Sequence, residues 1–142
     1  MTDLTDYILE LLDQGYHCSQ VMMQLALDMR GEDNPVLVRA MGGLGGGMYL
    51  HHNCGTLTGG ACVLSSYVPR EEGEPEPEIY KDMVRELVSW FESEHGSIQC
   101  RDLVAEDRES IMAFCPGLME RTFLKVLEIL QAHGFDPQSP VG

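Results

Sequence analysis

The sequence predicts an all-α protein, a compact bundle of about five to six helices with a glycine-rich loop before a central cysteine-bearing helix. Three observations predict it. Apolar residues recur at intervals of three and four along several stretches, the spacing of one helical face. Caps and glycine stops bracket those stretches. No stretch alternates in the manner of a half-buried strand, and no internal repeat is visible.

The first helix is expected over Leu4 to Gln14, with Leu4, Ile8, Leu11 and Leu12 inward, Thr2 or Asp3 as cap and Gly15 as stop. A second runs from Cys18 to Met29 and ends at Gly31; Val21, Met22, Leu25 and Met29 form its inner face. Asn34-Pro35, a cap followed by proline at the first helical position, opens a short third helix through Met41. Gly42-Gly43-Leu44-Gly45-Gly46-Gly47 follows, five glycines in six residues, which disfavours any regular element. Cys54 to Val68 reads as the next helix, although Gly59-Gly60 lower its propensity and allow close approach of a neighbour. The acidic, proline-punctuated stretch from Pro69 to Glu78 is a loop. Glu78 to Glu94 is the clearest amphipathic helix, with Ile79, Met83, Leu87, Val88, Trp90 and Phe91 on one face. Cys100 to Leu103 is a short turn or helix, and Cys115-Pro116-Gly117 leads into a last helix over Leu118 to His133. Residues 1–142 are expected to form a single domain, with 134–142 a flexible tail.

Composition narrows the functions. A formal net charge of −14 leaves no basic patch for nucleic acid or an anionic membrane. No apolar run approaches the ~20 residues of a membrane span. The N-terminus carries acid where a signal peptide carries Lys or Arg, so a cytoplasmic, thiol-reducing location is expected.

Chemistry centres on the cysteines. Of five, Cys18, Cys54, Cys100 and Cys115 stand at expected helix ends, where free amides and the helix dipole favour thiolate. That placement points to redox or metal chemistry. Neither paired Cys-x-x-Cys zinc knuckles nor a thioredoxin-type motif is present, so a shared site must be assembled from four separate segments. Cys54 is the strongest position, since glycines precede it and a helix follows. Cys62 lies mid-helix and reads as a core residue, though it shares a helical face with Cys54. Gly45, Gly46, Gly47, Gly55 and Gly59 are candidates for close backbone approach to a sulfur-containing centre. The glycine run lacks the Gly-Lys-Ser/Thr of a phosphate loop and the strand of a dinucleotide site. His17, His51 and His52 adjoin the candidate cysteines and are secondary candidates.

These residues also carry a resemblance. His17-Cys18-Ser19-Gln20-Val21, the glycines leading to Cys54-Gly55-Thr56-Leu57-Thr58-Gly59, then Gly96-Ser97-Ile98-Gln99-Cys100-Arg101-Asp102-Leu103 and finally Cys115 resemble the redox-active protein family named for its C_GCAxxG_C_C motif. Thr56 stands where that family usually has alanine, and His51-His52-Asn53 where smaller residues are frequent. The resemblance covers about positions 16 to 130 and implies four functional cysteines, Cys18, Cys54, Cys100 and Cys115, with no role for Cys62. A related domain in split-Soret cytochromes c implies iron–sulfur binding and a homodimer. This chain has no Cys-x-x-Cys-His haem attachment site.

Three functions remain open at this point. Four thiolates suffice for an iron–sulfur or other metal centre serving electron transfer or redox sensing with a partner protein. Reversible disulfides would make a thiol oxidoreductase, with Cys54 as the attacking thiolate. A structural-metal or partner-binding helical module is the third. No acid–base–nucleophile set for a substrate reaction is visible.

Overall fold

The structure, a computed structural model, describes residues 3–141. It is all-α, and among the described residues the only β pairing is an isolated antiparallel bridge between Asn53 and Gln99. Helices α1 (Leu4–Asp13), α2 (Cys18–Arg30) and α3 (Pro35–Met41) come first. A 3-10 turn, Gly42–Leu44, and a coiled segment, Gly47–His51, lead to α4 (Gly55–Ser66). Then follow α5 (Ile79–His95), the one-turn α6 (Cys100–Leu103) and the long α7 (Arg108–Ala132). Asp3 caps α1 through a 3.0 Å bond from the Thr5 amide; Thr2, the alternative cap, lies outside the described residues.

Helix α4 is the hub, packed against α2, α5 and α7. Its low-propensity glycines explain how. A Cβ on Gly59 would stand 3.0 Å from Ser19 Cα, and one on Gly60 would stand 3.1 Å from Leu87 Cδ2 and 3.3 Å from Val126 Cγ2. Glycine there lets the backbones of α2 and α4 cross almost in contact. Around that crossing Met22, Val63, Leu64, Leu87, Phe91, Phe123 and Val126 are buried and form one core. Burying apolar area on this scale, at about 25 cal/mol per Å², outweighs the weak helix propensity of the glycines.

Helix α7 departs from the sequence expectation. It begins at Arg108, not Leu118, and runs unbroken through Pro116, so Cys115 sits inside a helix and not at its start. Two features account for this. Asp107 supplies an N-cap, its carboxylate accepting from the Ser110 amide at 2.9 Å and from the Ser110 hydroxyl at 2.8 Å. Pro116 lacks an amide, which leaves the Met112 carbonyl one turn earlier without its helical donor. That cost is offset by burial of Pro116, Leu118, Met119, Thr122 and Phe123 on one side of the helix.

After α7 the chain folds back. Tyr67 Oη donates to the Pro137 carbonyl at 2.7 Å, and the Val141 amide donates to Glu32 at 3.1 Å. These contacts belong to the segment expected as a flexible tail; Gly142 lies outside the described residues. Among the described residues no helix is long and apolar enough to cross a membrane.

Candidate functional site

Four local devices deliver the cysteines. Cys18 is the first residue of α2, where the Gln20 side chain accepts from the His17 amide at 2.9 Å. The next residue, Ser19, is fully buried and donates its hydroxyl to the Met41 carbonyl at 2.7 Å, fixing the start of α2 against the end of α3. Cys54 and Cys100 are set by a backbone clamp. The Cys54 amide donates to Ile98 O at 2.8 Å and the Cys100 amide to His52 O at 2.6 Å. Between them Gln99 Nε2 donates to Asn53 Oδ1 at 2.8 Å. This clamp draws the start of α4 to the start of α6. Cys115 arrives from α7, placed by the continuous helix through Pro116.

Cys18, Cys100 and Cys115 line one pocket of about 310 Å³, together with Tyr16, His17, Gly46, His51, Arg108, Met112 and Met119 among others. Cys54 is buried, 5 % exposed, and is not among the residues lining that pocket. Its neighbour Gly55 touches the Cys18 sulfur so closely that a Cβ there would stand 2.5 Å from Sγ. Burial first, and then the nearby Cys18, Cys54 and Cys100, push the Cys115 thiol up to about 12. Burial likewise pushes Cys54 up to about 11, with Cys18 adding to the rise, while the amides of Leu57 and Thr56 pull the other way. Cys100 is raised by burial, by Cys18 and by Glu106.

The helix-end argument for stabilised thiolates is therefore corrected at these positions. Amides at the start of α4 do favour negative sulfur at Cys54, but desolvation is the larger effect and the thiol form wins. Cys62 is raised by burial alone, with no thiol among the causes, so it stands apart from the other four.

All five cysteines are free thiols. Among the described residues no three His, Cys, Asp or Glu side chains are grouped as one metal ion requires. Four thiols thus share a neighbourhood without pairing and without closing on a single point.

The glycines divide by role. Gly46 lines the pocket, at φ +57°. A Cβ on Gly45 would stand 2.8 Å from His17 Cβ, and one on Gly47 (φ +62°) would stand 2.5 Å from the His52 amide nitrogen, so these two let the loop close on itself. Gly55 makes room for Cys18, and Gly59 serves the α2–α4 crossing away from the pocket wall. The histidines divide too. His17 and His51 line the pocket, whereas His52 is exposed and contributes its carbonyl to the clamp.

Sequence reasoning missed Tyr16 and Arg108 on the pocket wall, the Asn53–Gln99 bridge, and the left-handed backbone of Met48 (φ 59°), Tyr49 (φ 61°) and His51 (φ 60°). The glycine run was the one available signal of that unusual loop.

A pH dependence follows from the raised thiols. In the metal-free folded protein Cys54 and Cys115 keep their protons above pH 9, where the unfolded chain releases them. The unfolded state then binds fewer protons, so stability falls with rising pH. The contribution of these two thiols is expected to be intact below about pH 9 and to be lost progressively toward about pH 12, the upper of the two folded values. Urea unfolding across that range checks it, and stability that rises over the window would refute it.

An all-α bundle that turns four separate thiols into one neighbourhood, three of them onto a shared pocket, defines a helical cysteine-site protein. Residues 16–129, a span containing all five cysteines, match the family described as "Putative redox-active protein (C_GCAxxG_C_C)", and the chain belongs to that family. No curated protein and no solved structure matches it.

Proposed function

We propose that Cys18, Cys54, Cys100 and Cys115 hold an iron–sulfur cluster and that the protein transfers electrons or senses redox state through it. The observation that carries this reading is the meeting of three free thiols, Cys18, Cys100 and Cys115, on one pocket of about 310 Å³, with the buried Cys54 adjoining Gly55, which packs against the Cys18 sulfur. A lone tetrahedral ion draws its sulfurs to ~2.3 Å from one point, and no such grouping exists among the described residues. An iron–sulfur cluster instead spreads its thiolate ligands over two or more irons, so the ligands as a set surround a larger body. Thiol donors on a largely apolar wall suit that group, and iron would displace the protons that burial holds on Cys54 and Cys115. When bound, the cluster supplies reversible one-electron chemistry.

The chain's own residues do the rest. The clamp between residues 52–54 and 98–100 holds two of the ligands in register, and Gly55 keeps Cys18 close to Cys54. Amides at the start of α4 face the Cys54 sulfur and favour its charged form once the proton is gone. A thiol-reducing compartment such as the cytoplasm suits such a site. Thiol–disulfide exchange has less support, because burial raises the Cys54, Cys100 and Cys115 thiols and protonated thiols attack slowly.

Anaerobic incubation with ferrous iron and sulfide, followed by desalting, tests the proposal. The expected result is a brown protein with broad visible absorption and iron retained in proportion to protein. A colourless product without iron would reject the reading.

A further inference from the structure

The geometry points to a fifth polar group of the centre: we infer that His51 donates a hydrogen bond from its ring to a sulfur of the bound cluster and sets its reduction potential. The inference rests on the cluster reading above. Its ground is the loop before α4. Met48, Tyr49 and Leu50 stand 59 %, 56 % and 70 % exposed, yet the next side chain, that of His51, is only 15 % exposed and lines the pocket beside Cys18, Cys100 and Cys115. The turn that achieves this is strained. Met48, Tyr49 and His51 all have positive φ, near +60°, a backbone region that residues with a side chain rarely adopt. Strain of this kind persists where the surroundings over-determine it, and it collects at functional sites.

The surroundings here are visible. Tyr49 Oη donates to the Gly42 carbonyl at 2.5 Å, its ring meets His17 edge-on at 5.3 Å, and the His52 amide donates to Gly47 O at 3.0 Å. His51 Nδ1 stands 3.9 Å from Glu106 Oε1, beyond hydrogen-bond range, so no protein acceptor engages that nitrogen through this contact. His17 also lines the pocket, but it is exposed and its ring is engaged with Tyr49, so His51 is the better placed of the two.

A donor to a cluster sulfur stabilises the reduced, more negative state and raises the potential. The test compares His51→Leu, which keeps bulk without a donor, with His51→Gln, which keeps both. Each is loaded anaerobically and titrated with dithionite at fixed pH, with iron content measured in parallel. Expected is full iron in both, a lowered potential in His51→Leu and a potential near that of the unaltered protein in His51→Gln. Potentials that match the unaltered protein in both variants, or shift alike in both, overturn the inference while leaving the cluster reading intact. Loss of iron from His51→Leu overturns it in favour of a role in holding the cluster. An unaltered protein that takes up no iron removes both readings.

Discussion

Replacing Cys115 with serine is expected to reduce the iron retained after anaerobic loading at least about tenfold, whereas Cys62→Ser leaves it unchanged. Altering even the groups that merely support a metal ligand typically costs 10–100-fold in affinity, and a lost thiolate costs no less. Cys115 is chosen because it lines the pocket beside Cys18 and Cys100. Cys62 is the matched control. It is also a half-buried cysteine in a helix, yet burial alone perturbs it. Serine is nearly the size of cysteine, so the fold of both variants is expected to survive, which circular dichroism of the metal-free proteins checks. Equal iron in the two variants would mean that Cys115 is packing.

The second large effect is expected from Gly55→Ala. An added Cβ would stand 2.5 Å from Cys18 Sγ and 2.8 Å from the Leu44 carbonyl oxygen. The sulfur could turn aside, but the carbonyl belongs to the backbone of the 3-10 turn and must move as a unit. Overpacking of this kind costs about 1–3 kcal/mol, set against the gain of up to ~1 kcal/mol that alanine brings to a helix. The variant is therefore expected to unfold at lower temperature and to lose about tenfold in iron retained, because Cys18 is the atom displaced. Gly43→Ala is the control, since a Cβ there meets nothing within 4 Å. Thermal unfolding and iron analysis of the two variants decide the matter, and identical behaviour would remove Gly55 from the site.

How much of this was legible in the sequence depends on whether the determinant was local. Helices α1, α2, α3 and α5 announce themselves by apolar spacing and caps, as in Asn34-Pro35 before α3, where Asn34 Oδ1 accepts from the Leu37 amide at 3.1 Å. The start of α7 was misplaced because Cys115-Pro116-Gly117 carries strong local breaking signals. Long-range burial of Pro116, Leu118 and Met119 overrides them, and Asp107, the true cap, stands well before the expected start at Leu118. Helix-end placement and the resemblance both single out Cys18, Cys54, Cys100 and Cys115, and three of them line one pocket, but the means of bringing the segments together is not legible. The clamp of Cys54 and Cys100 onto Ile98 and His52 is two backbone bonds between distant segments, and backbone bonds leave little trace in side-chain identity. The direction of the thiol shifts was missed for a similar reason. Helix ends are local and visible in sequence, while the burial that outweighs them at Cys54 belongs to the whole fold.

The central claim is that residues 18, 54, 100 and 115 serve one inorganic centre. It is tested most directly by weighing the anaerobically loaded chain under native conditions in a mass spectrometer. The account predicts a single adduct of iron and sulfide on each chain, kept by Cys62→Ser and absent when all four other cysteines are serine. A bare polypeptide mass after loading, or an adduct that survives the fourfold replacement, would contradict it.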